Sequence, residues 1–381
     1  MNVLDEAGIR HRVAQARRVV VKVGSSSLAT ARTGLDVDRV RALVDVLAAR
    51  HAAGSEVVLV SSGAIAAGLE PLGLTHRPSD LAQAQAAAAV GQGLLVSEYT
   101  QAFARHGIRV AQVLLTVGDL ARKTSYANAL RTFGALTRLR VVPVVNENDT
   151  VATREIRFGD NDRLAALVAE LVRADALVLL SDVDGLYTAH PDSPGAVRIG
   201  FVPAVGGLDV DVSQAGAAGV GSGGMASKLE AARVATAAGI PVVLAEFGQA
   251  ADALGGQPVG TAFAPTAPRR SRRLVWLADA SQTQGRLIVD AGAARALTTT
   301  PASLLAAGIV AVEGAFEAGD AVDVVGPDGA VIARGLVNFD ATELPAMLGH
   351  GSVELGATLG SRFAREVIHR DDLVLTRKAR P

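Results

Sequence analysis

Between residue 18 and about residue 245 the chain alternates short apolar runs with longer stretches in which apolar residues recur every three or four positions. Six short runs read as strands: 19–23, 57–60, 110–115, 141–145, 177–180 and 242–245. Each is nearly continuous in β-branched and other apolar residues, the pattern of strands buried on both faces. Between them the spacing predicts helices over 36–53, 162–173 and 226–238; in the first, Val40, Leu43, Val44 and Leu47 share a face. The Ala-rich stretch 81–90, interrupted by Gln83 and Gln85, reads as a further helix rather than a membrane span. Such alternation predicts an α/β fold: a mostly parallel sheet covered by helices, with ligands at the carboxyl ends of the strands.

The pattern changes after Phe247. Residues 249–271 are rich in Gly, Ala and Pro and read as the end of one domain followed by a linker. Beyond about Gln284 the apolar segments shorten to 286–289, 321–325, 331–337 and 373–375. The tetrad Gly326-Pro327-Asp328-Gly329 between two of them is a hairpin signal. A total of 381 residues suits two domains. The expected division is a first domain over 1–268, a linker over 269–283 and a small β-rich domain over 284–381.

Charge narrows the partners. Lys plus Arg is 37 and Asp plus Glu is 38, a net charge of −1, and residues 284–381 alone carry −3. Proteins that hold nucleic acid by bulk attraction carry the opposite balance, so nucleic acid is not an expected partner. Cysteine is absent, which removes disulfides, thiolate catalysis, thiolate zinc sites and iron–sulfur clusters, and fits a reducing cytoplasm. The N-terminus has no apolar core after a basic start and no apolar run approaches a membrane span, so neither a signal peptide nor a membrane is expected. The seven His residues are scattered without metal-ligand spacing, and no P-loop, H-E-x-x-H or G-x-S-x-G motif is present. Gly219-Val220-Gly221-Ser222-Gly223-Gly224 matches G-x-G-x-x-G, but it follows a loop-like stretch instead of a strand, so a dinucleotide reading is weak.

What remains is a set of donor-rich turns, each after a strand. Lys22 sits inside a buried run, where a charge is costly unless paired, and Gly24, Ser25, Ser26 and Ser27 follow it. Ser61-Ser62-Gly63 follows the second strand. Asn146-Glu147-Asn148-Asp149 follows the fourth, and Gly159-Asp160-Asn161-Asp162 opens the next helix. That acidic and amide cluster suits an amine-bearing substrate, water-held Mg²⁺ or the orientation of lysines, while Asx turns and a helix cap would account for one or two of its residues. Ser181-Asp182 follows the fifth strand and offers groups for a ribose or base. Ser222-Gly223-Gly224-Met225-Ala226-Ser227-Lys228 opens a helix whose N-terminus favours an anion, with Lys228 in reach of it. Together these turns are what a kinase without a P-loop requires.

The segments Val21-Lys22-Val23-Gly24-Ser25, Val60 to Gly68, Asn146 to Asp149, Gly159 to Asp162 and Gly223-Gly224-Met225 closely resemble those of the glutamate 5-kinases, a branch of the amino acid kinase family. The resemblance spans essentially the whole chain, and its tail is similar to the PUA domain, a pseudo-barrel module. It implies a three-layer sandwich and ATP-dependent phosphorylation of the side-chain carboxylate of L-glutamate, the first step of proline synthesis. By position, Lys22 and Lys228 would hold the transferring phosphates and Asp162 would orient them. Ser62, Asp149 and Asn161 would bind glutamate. Lys22, Gly24, Ser181, Asp182, Ser222, Gly223, Gly224, Met225, Ala226, Ser227 and Lys228 would bind ATP, with Mg²⁺ carried by ATP and no direct protein ligands. Ser181 and Ser222 stand where the resemblance would place Thr, a change that keeps the hydroxyl. Feedback inhibition by L-proline and a homo-oligomer, dimer or tetramer, are further implications. Acetylglutamate kinase is the nearest rival, but its substrate lacks the free amine that Asp149 would pair with; an RNA-binding role for the tail is the rival from another class.

Overall fold

The computed structural model describes residues 5–30, 34–121, 123–151, 161–189, 191–208, 224–266, 283–300 and 302–376. The chain divides into two units, Met1–Arg269 and Arg270–Pro381. Most of the expected linker, 269–283, lies outside the described residues.

The first unit is built on eight strands: β1 (Arg18–Val23), β2 (Glu56–Ser61), β3 (Val110–Leu115), β4 (Val142–Glu147), β5 (Ala176–Ser181), β6 (Phe201–Val202), β7 (Val242–Glu246) and β8 (Thr261–Phe263). They lie in the order β6-β8-β7-β5-β1-β2-β4-β3. Pairing is parallel from β7 through to β3, whereas β8 runs antiparallel to β7. β8 was not resolved within the Gly- and Pro-rich stretch of sequence; three buried residues carry too little pattern to announce a strand. β3 differs from the both-faces-buried expectation, because it is the sheet's edge and leaves Gln112 and Leu114 exposed.

Side chains alternate across the sheet into two cores. Val19, Val21 and Val23 of β1 enter one layer, which holds α1 (Glu6–Ala14), α2 (Val37–Ala52) and α4 (Leu81–Ala104). Val20 enters the other, with α5 (Asn161–Leu171) and α6 (Met225–Ala237). The result is three layers, helices over both faces of a mostly parallel sheet. Helix starts are marked by side chains: Asp36 accepts from Arg39 N at 3.1 Å and Asp80 from Gln83 N at 2.9 Å.

A short helix, α3 (Ala64–Leu69), follows β2 and lies backbone to backbone against α4. Gly63 makes the turn into it at φ +107°, a conformation other residues rarely adopt. A Cβ on Gly68 would lie 1.9 Å from Ala87 O, and one on Gly91 would lie 1.8 Å from Ala64 O. No side chain fits between these helices, so the turn after β2 and the middle of α4 are held in fixed register.

The second unit has its own sheet, formed by β9 (Gly285–Val289), β10 (Ile309–Gly314), β11 (Ala321–Val325), β12 (Val331–Leu336) and β13 (Leu373–Leu375), in the order β10-β9-β11-β12-β13. Leu287, Val322, Val324, Ala333, Leu344 and Met347 form its separate core. The predicted hairpin is present: β11 and β12 pair antiparallel, and Gly326 N donates to Ala330 O at 2.8 Å.

The glycine contact sets a test. Gly91→Ala must force α3 and α4 apart, costing about 1–3 kcal/mol as overpacking does. Thermal unfolding followed by circular dichroism should show a midpoint several degrees lower. Gly93→Ala, where a Cβ meets nothing within 4 Å, should leave the midpoint unchanged or raised.

Candidate active site

Lys22 lies at the carboxyl end of β1 and points with Val20 toward the layer of α5 and α6. The first turn of α5 brings Asp162 to it: Lys22 Nζ is 2.6 Å from Asp162 Oδ1, with the side chains 5% and 1% exposed. The first turns of α6 approach the other oxygen. Lys228 Nζ is 3.6 Å from Asp162 Oδ2, and Ser227 Oγ donates to the same oxygen at 2.7 Å. Burial alone would push the Asp162 carboxyl up. The charges of Lys22 and Lys228, with hydrogen bonds from Lys22 and Ser227, overcome it and hold the group below the usual carboxylate range. Lys228 is pushed below the ordinary lysine value, chiefly by burial, with Asp162 pulling it back up. Lys228 thus lies close to a carboxylate in a buried site.

The neighbouring groups suit a polyanion. α6 begins at Gly224, which has no side chain to cap it, and the helix N-terminus lies at the same end of the sheet as the two lysines, where its N–H groups favour an anion. Gly24 adjoins Lys22; a Cβ there would sit in ordinary contact, 3.7 Å from Lys22 Nζ. At the end of β5, Ser181 Oγ donates to Asp182 Oδ1 at 2.9 Å. Burial pushes Asp182 up, but hydrogen bonds from Ser181, its own backbone and Ser26, with the charge of Lys228, hold it below the usual range.

A second, neutral cluster lies at the ends of β2 and β4. Asn161 Nδ2 donates to Ser62 Oγ and to Asn146 Oδ1, both at 3.0 Å. Asn146 Oδ1 also accepts from Glu147 N at 2.9 Å, and Asn146 Nδ2 donates to Gln92 Oε1 at 2.7 Å. The sequence pattern ended the strand at residue 145; it continues through Asn146 and Glu147, which pair in register with Leu114 and Leu115 of β3. Beyond them Asp149 lines a cavity of about 240 Å³ together with Gln92, Gln112, Glu147, Asn148 and Thr150. Burial pushes the Asp149 carboxyl up to about 6, with the Arg77 guanidinium pulling the other way.

The structure therefore joins Lys22, Asp162, Ser227 and Lys228 in one group, with Gly24, Gly224 and the Ser181–Asp182 pair beside it. Ser62 and Asn161 form another, and Asp149 lines the cavity next to Gln92. Met225 and Ala226 lie in the first turn of α6, Met225 packed on the core and Ala226 exposed. Ser222 and Gly223, like Gly159 and Asp160, fall outside the described residues. Sequence reasoning missed Gln92 and Arg77, whereas Ser26 belongs to the donor-rich turn expected after β1. The signal for Gln92 was a polar residue at a core position of α4, on the face that buries Ala84, Ala88, Leu95 and Tyr99.

Comparison with known proteins adds the relatives. Residues 17–246 match the model of the amino acid kinase family, and residues 285–359 match that of the PUA domain. The chain is 60% identical over 370 residues to glutamate 5-kinase of Streptomyces coelicolor, covering 97% of this chain and 99% of the relative. It is 61% identical over 368 residues to glutamate 5-kinase of Salinispora arenicola, covering 96% and 100%. Among solved structures, carbamate kinase from Giardia lamblia bound to AMP-PNP aligns over 66% of this chain and 99% of its own with a TM-score of 0.48 and 18% identity.

Removing the shared carboxylate strands two buried cations. Asp162→Asn should cost about 3–5 kcal/mol, as breaking a buried ion pair does. Because the folded-state carboxyl of Asp162 lies below its unfolded value, its contribution is complete above about pH 5 and fades as pH falls through the folded value. Urea unfolding at several pH values should show a constant gap between wild type and variant near neutrality and a shrinking one below about pH 4.

Proposed function

The chain belongs to the amino acid kinase family and, within it, to the glutamate 5-kinases, and on that premise we propose how its site performs the reaction. ATP phosphorylates the side-chain carboxylate of L-glutamate to give L-glutamyl 5-phosphate, the first step of proline biosynthesis. A glutamate side chain with a pKa of about 4.3 is ionised at neutral pH, so the substrate brings its own nucleophile and no general base is needed. The difficulty is to bring an anion to a polyanion and to stabilise charge on the phosphoryl group in flight. Position and cations do this.

The observation that carries the reading is the buried Lys22–Asp162–Lys228 group. In the proposed mechanism the two ammonium groups hold the transferring phosphates, and Asp162, touching both, sets their positions. The segment Ser222 to Lys228, whose last residues open α6, receives phosphate oxygens, while Gly24, Ser181 and Asp182 complete the nucleotide's seat. Mg²⁺, carried in on ATP, supplies further neutralisation of phosphate charge. Ser62 through its hydroxyl and Asn161 through its backbone N–H at the start of α5 hold the glutamate carboxylate, and Asp149 pairs with the α-ammonium. An oxygen of that carboxylate bonds to the γ-phosphorus as the bond to the β–γ bridging oxygen breaks, and ADP leaves with the electron pair.

Asp149 also separates the two carboxylate-kinase readings. N-acetylglutamate has no cationic amine, so Asp149 on the cavity wall would find no partner in that substrate. Family membership further supports feedback inhibition by L-proline at a site overlapping that of glutamate, and assembly as a homo-oligomer, dimer or tetramer. No described helix is long and apolar enough to cross a membrane, and we place the reaction in the cytoplasm. The tail's net charge of −3 supports no part for nucleic acid.

An ADP-release assay should show turnover with L-glutamate and little with N-acetyl-L-glutamate; the reverse preference would overturn the assignment. Lys228→Ala should lower kcat by about 10²–10³-fold, the cost of losing one preorganised charge donor, with a folded circular dichroism spectrum. Asp149 must be ionised to pair with an ammonium, so KM for glutamate should rise as pH falls through about 6. Asp149→Ala should raise KM for glutamate and abolish that pH dependence, leaving KM for ATP unchanged.

A further inference from the structure

Gln92 is buried in the middle of α4, at a position packing does not explain. Its Oε1 accepts from Asn146 Nδ2 at 2.7 Å, while its own Nε2 is buried with no hydrogen-bond partner among the described residues. An unpaired buried donor costs stability that an apolar residue of the same length would recover. The side chain keeps an acceptor at that expense. Its backbone is also held in place: Gly91, the residue before it, touches Ala64 and Gly68 of α3, which follow directly on Ser62 and Gly63.

We infer that Gln92 is a positioning residue for the glutamate-binding pair Ser62 and Asn161, acting through Asn146; this rests on the glutamate-kinase reading of the site. The argument is one of direction. Because Gln92 presents an oxygen, Asn146 turns its Nδ2 toward α4 and its Oδ1 toward Asn161 and Glu147 N. Asn161 then presents Nδ2 to that oxygen, and the same amide nitrogen gives its other hydrogen to Ser62 Oγ at 3.0 Å. With Asn161 Nδ2 committed, Asn161 Oδ1 faces Glu147 N at 3.3 Å. Ser62 Oγ is therefore an acceptor within the protein, and its own hydrogen is left to donate outward, where a substrate carboxylate needs a donor. Were Asn146 to flip, its NH₂ would face the NH₂ of Asn161, and the direction of every bond to Ser62 would be lost. Two turns further along the same face of α4, Tyr99 Oη lies 2.9 Å from Ser61 Oγ, so this one helix sets the polar ends of both β2 and β4.

The test is steady-state kinetics on the full chain, with glutamate and ATP varied in turn. Gln92→Met keeps the length and removes the acceptor. It should raise KM for glutamate about tenfold, the loss of a well-made hydrogen bond and the order it imposes, and leave KM for ATP within about twofold. In an Asn146→Ala background the same substitution should change KM for glutamate no further, because the path through Asn146 is already broken. If Gln92→Met yields no folded protein, Gln92→Asn, which withdraws the amide by one methylene, is measured in the same cycle with the same expectation. Additive effects of the two substitutions, equal shifts in both KM values, or an unchanged KM for glutamate overturn the inference while the wild-type turnover keeps the function intact. A wild type with no glutamate-dependent turnover overturns the function and the inference together.

Discussion

One buried carboxylate between two buried ammonium groups is the constraint on which the first unit depends. A lone charge at Lys22 or Lys228 would be untenable at 5% and 8% side-chain exposure, and Asp162, at 1%, more so. Each is acceptable only because the other two are there, and they come from β1, α5 and α6, elements far apart along the chain. The parallel sheet makes the meeting possible. Strands running the same way end on the same side, and the helices that connect them start there, so a lysine at the end of β1 meets the first turns of α5 and α6. Asp162 gains as well from standing at a helix N-terminus.

The two helical layers supply different chemistry to that edge. The layer of α5 and α6 brings charge, which phosphates require. The layer of α4 brings neutral groups, the Gln92 amide and the Tyr99 hydroxyl, which fix the direction of hydrogen bonds without adding field. Side-chain alternation decides which layer each strand residue serves. Asn146 shares parity with Val142 and Val144 and so faces α4, whereas Lys22 shares parity with Val20 and faces α5. Asn161, the first residue of α5, is where the two systems join: it bonds Asn146 and Ser62, and its neighbour Asp162 bonds the lysine.

Several of these features were legible from the chain alone. Five of the six long strands announced themselves because a strand buried on both faces must be apolar throughout, and the edge strand β3 by its apolar run alone. Lys22 stood out because a charge inside such a run demands a partner. Other features left no local trace. The three-residue strand β8 is short and bounded by loop-forming residues, so nothing distinguishes it from its surroundings. No local pattern pairs Gly68 with Gly91, and only the approach of two backbones explains them. Asn146 and Glu147 looked like the loop after β4 because they are polar, yet backbone pairing with β3 takes no account of side-chain polarity, and the strand runs on through them.

The sequence by itself determined the kind of protein: an α/β unit with donor-rich turns at strand ends, a separate small β unit, and no cysteine or histidine site to compete with a phosphoryl-transfer reading. These follow from periodicity and composition, which act over a few residues and survive without a third dimension. Tertiary structure alone decided which groups touch. That Asp162 bridges Lys22 and Lys228, that burial and not charge dominates the raised carboxyl of Asp149, and that Gln92 rather than any residue of the recognised turns orients Asn146 are matters of distance and dielectric. Distances between residues 22, 162 and 228, or 92 and 146, exist only after the chain has packed, and no local pattern encodes them.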